Sequence, residues 1–190
     1  MNSALCLHNA TVLTGFSIMK NCAVYIKNDK IADVYNEERF KKKNFSPKVK
    51  IIDVKGAYIV PGLIDTHIHG IGGYSADRGD YKDILGMSEV LAQHGVTSFI
   101  PTLCTATEDE MLKKIKAVVK AMGKEKGAHI LGMHLEGPFI SHDRIGAQPA
   151  DGVSACNIRM MDNFWKASKG KIINMTVAPE LPGMRELALS

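Results

Sequence analysis

The sequence predicts an α/β protein: the first four strand–helix units of a parallel (β/α)8 barrel of the TIM type, behind a short all-β segment. Three observations carry that reading. From residue 56 onward, short apolar runs rich in β-branched residues alternate with stretches of helical periodicity, the pattern of a parallel sheet. The residues with chemistry to offer, His67 and His69, Thr102 and Cys104, Glu136, then Glu180, fall at the carboxyl ends of those runs. In a barrel, that rim is where sites are built. No glycine-rich phosphate loop of the nucleotide or dinucleotide type follows any strand, which puts the barrel ahead of a doubly wound sheet.

Composition bounds the partners. With 190 residues, 45% hydrophobic and 23% charged, the chain has room for one substantial domain and a small appendage. A formal charge of +4 is too mild to imply nucleic acid, and the densest basic run, Lys41-Lys42-Lys43, lacks an aromatic platform and reads as a solvated loop. Cys6, Cys22, Cys104 and Cys156 form no Cys-x-x-Cys pair, which argues against a zinc ribbon or redox motif and fits a reducing cytosol. The amino terminus has no signal-peptide pattern, and no apolar run approaches the ~18 residues of a membrane span. A cytoplasmic protein without membrane partners is expected.

Residues 1–55 read as β structure. Ala4–Leu7 and Ala10–Leu13 are short apolar runs, Ala23–Lys27 and Lys30–Val34 flank the hairpin turn Asn28-Asp29, and Val49–Val54 is a further strand before Lys55-Gly56. Five short strands make a sheet too small to stand alone. Ala57–Val60 then reads as a buried strand that continues through Leu63-Ile64.

Residues 56–190 supply the alternation. Strands are expected at Thr97–Leu103, His129–Glu136 and Lys171–Ala178. A first helix runs from about Tyr81 to His94, stopped by Gly95. The second opens on a Thr107/Glu110 capping box, carries the stripe Met111, Leu112, Ile115, Val118, Val119 and Met122, and stops at Gly123. The third runs from about Ile158 to Ser168, capped by Asn157, with Gly170 after it. Pro182–Ser190 resembles the opening of a fourth. Strand starts near 58, 97, 130 and 172 imply that eight units would need roughly 300 residues, so the chain reads as the first half of a longer protein.

Two motifs hold the candidate chemistry. On a strand, Asp65, His67 and His69 share a face, and two imidazoles at the exit of a strand are half of a divalent metal site. His134 and Glu136 share a face on the third strand, and a buried glutamate is costly unless neutralised. A cation shared by His67, His69 and Glu136 meets that need. His134 and Asp65 read as supports for the ligands, and Cys104 as packing.

These motifs carry a resemblance. Pro61-Gly62-Leu63-Ile64-Asp65-Thr66-His67-Ile68-His69 resembles the first-strand signature of the amidohydrolase superfamily. Gly132-Met133-His134-Leu135-Glu136-Gly137-Pro138-Phe139-Ile140, with Arg144 to Pro149, resembles its N-acetylglucosamine-6-phosphate deacetylase family, as do Phe99–Leu103 and Val177–Glu180. The resemblance implies a small β-sandwich domain begun by residues 1–55 and a barrel begun by residues 56–190. It makes Glu136 the principal metal ligand beside His67 and His69, with zinc, iron or a similar ion, one or two per site. Ala147, through its backbone, and Gln148 become the sugar contacts. It implies hydrolysis of the acetamide of an amino-sugar phosphate, and a homodimer in the full-length form. Two further histidine ligands and an aspartate acid/base would lie beyond Ser190, so no catalytic residue lies within the chain and the 190 residues alone are expected to be inactive. A ring-opening amidohydrolase of the dihydroorotase or hydantoinase kind and a non-catalytic truncated product stay open as alternatives.

Overall fold

The Asn28-Asp29 turn forms with both residues in the left-handed region (φ 52° and 60°), the conformation a two-residue hairpin requires. In the computed structural model, which describes residues 4–189, the chain divides at Pro61/Gly62 into two units. The first holds β1 (Ala4–Leu13), β2 (Ile18–Lys27), β3 (Lys30–Asn36), the short helix α1 (Glu37–Lys41), β4 (Val49–Asp53) and β5 (Tyr58–Ile59). Its sheet runs β3-β2-β1-β4, with β5 also beside β1. The first three strands pair antiparallel, while β4 and β5 run parallel to β1. The two runs expected within β1 are one strand, made irregular between Leu7 and Ala10, where Asn9 takes φ 59°. Ala10, Val12, Cys22 and Val24 form one apolar cluster, and Cys6, Ala23 and Tyr35 another. Helix α1 was not foreseen, because five residues carry no apolar stripe; the Asn36 side chain caps it by accepting from the Arg39 N–H at 2.9 Å.

The single buried strand expected over residues 57–64 is not formed. Tyr58 and Ile59 pair with β1 in the first unit, the chain breaks at Val60–Gly62, and a new strand, β6 (Leu63–Ile68), begins the second unit. Its first residues are open rather than buried, Leu63 at 61% and Ile64 at 60% exposure. Among the described strands β6 pairs only with the strand over Val96–Cys104, which leaves its other edge uncovered.

Beyond β6 come a small hairpin, β7 (Gly70–Ile71) and β8 (Tyr74–Ser75), then α2 (Tyr81–Gln93), β9 (Val96–Cys104), α3 (Glu108–Ala121), β10 (His129–Ile130), β11 (Met133–Glu136), α4 (Ile158–Ser168), β12 (Ile172–Thr176) and α5 (Met184–Leu189). Ser190, expected in that last helix, lies outside the described residues. The main sheet reads β6-β9-β11-β12 in chain order, with β10 also on β9, and every pairing is parallel. This is the α/β, parallel-sheet architecture that the alternation implied. The expected strand over 129–136 is split at Leu131-Gly132, where a Cβ on Gly132 would stand 2.8 Å from the Lys171 carbonyl oxygen.

The helices begin as their sequences direct. Asp80 Oδ1 accepts from the Lys82 N–H at 2.9 Å, Glu110 Oε2 from the Thr107 N–H at 3.3 Å, and Asn157 Oδ1 from the Met160 N–H at 3.1 Å. Their apolar faces cover the sheet, and Phe99, Leu103, Ile115, Val118, Met133, Leu135 and Phe164 are fully buried in one cluster. Among the described residues, no helix is long and apolar enough to cross a membrane. Ile115→Ala, which empties part of this cluster, is expected to cost about 2–5 kcal/mol in chemical denaturation, against about 0.5 kcal/mol or less for Ala at the exposed neighbour Lys116.

Candidate metal centre

Parallel pairing brings the two motifs together. β6 pairs with β9 up to Ile68–Pro101, and β11 pairs with β9 on the opposite side through His134–Thr102 and Glu136–Cys104. The imidazoles at the end of β6 and the carboxylate at the end of β11 therefore meet over the carboxyl end of β9. One donor atom from each of His67, His69 and Glu136 lies within 4.8 Å of the other two. His69 Nε2 is 3.0 Å from Glu136 Oε2, and the two histidine rings stand nearly perpendicular, 84° apart with centroids at 5.0 Å. Bonds of about 2.0–2.2 Å to one ion put neighbouring ligand atoms about 3–3.5 Å apart, and two imidazoles with a carboxylate suit zinc, iron or a similar divalent cation. The donor set fits such an ion.

The other anticipated residues lie close by. His134 is 3% exposed; its Nδ1 sits 3.2 Å from His67 Nδ1 and its Nε2 2.9 Å from Thr176 Oγ1. Burial, reinforced by His67, pushes the His134 pKa below the ordinary histidine value. It therefore stands behind His67 as an uncharged partner. Asp65 acts lower on the strand, where its Oδ1 accepts the His67 backbone N–H at 3.1 Å. Gln148 is drawn into the site: its Nε2 donates to Glu136 Oε2 at 2.6 Å and its Oε1 accepts the Thr105 N–H at 2.8 Å. Ala147 is exposed in the turn beside it. Glu180 is exposed in a turn after β12 and belongs to neither donor cluster found among the described residues.

The backbone around Glu136 is held just as tightly. The Thr105 hydroxyl donates to the Glu136 carbonyl at 2.6 Å. Gly137 follows at φ 94°, and a Cβ there would collide with Thr105 Oγ1. Glycine is required at that point by both conformation and space.

Sequence reasoning missed a second layer. Cys104 is not simply packing: its Sγ is 3.1 Å from His69 Nδ1, and burial together with Asp77 pushes its pKa up to about 12. Asp77, unremarked in the sequence, accepts the Cys104 N–H at 2.7 Å and the Lys114 ammonium at 3.0 Å, and its other oxygen is 3.4 Å from His69 Nδ1. One signal was available. Lys114 falls between Met111 and Ile115 on the face of α3 that is otherwise apolar, and a lysine at a core position implies a partner.

The Amidohydrolase family model matches residues 58–185. The chain is 31% identical over 186 residues to the N-acetylglucosamine-6-phosphate deacetylase of Bacillus subtilis, covering 95% of this chain and 46% of that protein. It is 34% identical over 143 residues to the human deacetylase of the same name, covering 71% of this chain and 34% of that one. Among solved structures it resembles a variant of the Mycobacterium smegmatis deacetylase in complex with N-acetyl-D-glucosamine-6-phosphate. That match has a TM-score of 0.78 and 26% identity, over 96% of this chain and 45% of that one. The chain thus spans about half the length of the curated relatives it matches.

The lowered pKa of His134 has a consequence for stability. Between its folded value and about 6.5, the unfolded chain binds the extra proton and the folded chain does not. The neutral histidine's contribution is complete above about pH 6.5 and is lost as pH falls below it. Urea midpoints measured between pH 7.5 and 5 are expected to decline, and His134→Gln to flatten that decline.

Proposed function

Because the chain belongs to the amidohydrolase family, we propose that it forms the amino-terminal part of a metal-dependent deacetylase. The reaction is hydrolysis of the acetamide of N-acetyl-D-glucosamine 6-phosphate to D-glucosamine 6-phosphate and acetate. The observation that carries this reading is the convergence of His67, His69 and Glu136 at the carboxyl rim of a parallel sheet. The likeness to relatives of that name supports the choice of substrate. The four parallel strands in chain order, with helices between them, support reading the second unit as the first half of a (β/α)8 barrel. In the same reading the first unit is part of a small β-sandwich, and the whole protein is a cytoplasmic homodimer.

His67, His69 and Glu136 would hold the ion. A divalent ion there would lower the pKa of its water towards neutrality and polarise the acetamide carbonyl. The remaining work falls to the protein. Neutral His134, braced by Thr176, backs the His67 ring. Gln148 donates to one oxygen of Glu136 and so limits rotation of its carboxylate. Ala147, exposed next to Gln148, would offer its backbone to the sugar.

The test uses the full-length protein of which, in this reading, these residues are the amino-terminal part. It should release acetate from N-acetylglucosamine 6-phosphate far faster than it opens dihydroorotate or a hydantoin; dominant ring opening would overturn the substrate assignment. Glu136→Gln should weaken metal binding by more than the ~10–100-fold typical of losing an outer partner. Equal metal content in wild type and variant, by elemental analysis, would remove Glu136 from the ligand set.

A further inference from the structure

More polar machinery stands behind His69 than is needed to hold one imidazole. Lys114 is 9% exposed on an apolar helix face, with its ammonium 3.0 Å from Asp77 Oδ1 and 3.1 Å from the Cys104 carbonyl oxygen. A buried ammonium is costly unless paired and hydrogen-bonded, so its partners are held as firmly as it is. Asp77 Oδ1 also takes the Cys104 N–H, and with Oδ1 anchored twice, Oδ2 lies 3.4 Å from His69 Nδ1 as an ion-pair contact. The opposite ring nitrogen, Nε2, faces Glu136. His69, Asp77 and Cys104 are themselves a possible donor cluster. Lys114, however, already sets a positive charge against the Asp77 carboxylate, which disfavours a second cation there.

We propose that Asp77 is a positioning residue for His69: anchored by Lys114 and the Cys104 amide, it accepts the Nδ1 proton and turns Nε2 toward Glu136. The proposal rests on reading His69 as a metal ligand. A ligating neutral imidazole keeps one proton, and a carboxylate at Nδ1 holds that proton there and leaves the Nε2 lone pair for the ion. The rival partner is the Cys104 thiol, whose Sγ is nearer to Nδ1 at 3.1 Å. A thiol donating to Nδ1 demands the opposite tautomer, so the two arrangements are distinguishable by where the proton sits.

The experiment loads the full-length protein of the proposed function with cobalt(II) and records proton NMR spectra, in which the N–H of a ligating imidazole is strongly shifted by the metal. His69 is expected to show a shifted Nδ1 proton that exchanges slowly with water, identified by its movement in Cys104→Ser. In Asp77→Asn that signal should broaden through exchange, and zinc affinity measured by chelator competition should fall about 10- to 100-fold. Asp77→Glu should recover part of the affinity, and Lys114→Met should lower it in the same direction as Asp77→Asn. An unchanged signal with affinity within twofold in Asp77→Asn overturns the proposal. So does a wild-type spectrum with no His69 Nδ1 proton, which requires no variant to fold. A protein that binds zinc and shows the signal but releases no acetate leaves this inference standing and removes the proposed reaction. A wild type that binds no metal removes both.

Discussion

The hydrogen-bond ladder of β9 is the constraint on which the candidate site depends. β9 is the strand that pairs with β6, β10 and β11, and its parallel register sets how far along their axes the neighbouring strands end. A slip of one residue between β9 and β11 would move Glu136 from the site face to the opposite face of the sheet. The same slip would part the Thr105 hydroxyl from the Glu136 carbonyl. Burial of Phe99 and Leu103 from β9, against Leu135 from β11, makes that register costly to leave. The packed side of the sheet thus determines the geometry at its polar end.

Electrostatics then decides what that end can tolerate. Glu136 and Asp77 bring two carboxylates to either side of one imidazole ring, in a setting where charges are only partly screened. Each has hydrogen-bond donors of its own, Gln148 for the first, Lys114 and the Cys104 amide for the second. Such pairs differ in kind from the exposed Lys41–Glu37 bridge on α1, which is free to solvate and contributes little. Breaking a partly buried pair leaves a charge with nowhere to go, so these contacts specify geometry more than they add stability.

Much of this was legible in the sequence because it rests on local chemistry. The Asn28-Asp29 turn, the caps at Thr107/Glu110 and Asn157, and the placing of His67 and Glu136 on strands follow from spacing and side-chain type alone, while His69 sits in a bend just past the end of β6 rather than on the strand. What was not legible depends on contacts distant in sequence. Pro61-Gly62 marked a break inside the apolar stretch that reaches Ile64, but nothing local says that Tyr58-Ile59 pairs with Thr11 and Val12 while Leu63 belongs to another sheet. Cys104 was misjudged for a related reason. A small apolar residue at a strand end usually packs, and only tertiary pairing brings His69 to the thiol and Asp77 and Lys114 to the Cys104 backbone. Lys114 was readable but passed over: a charge within an apolar stripe stands out in the sequence itself.

The tight fit between Gly137 and Thr105 shapes how this stretch can evolve. Any side chain at 137 must displace the Thr105 hydroxyl, and removing that hydroxyl first abandons the Glu136 carbonyl. Each single step is therefore unfavourable whichever comes first, and the effects of the two changes should not add. Position 137 is confined twice over, by its φ of 94° and by the Thr105 hydroxyl, so losing that hydroxyl opens space without opening the backbone conformation to a side chain.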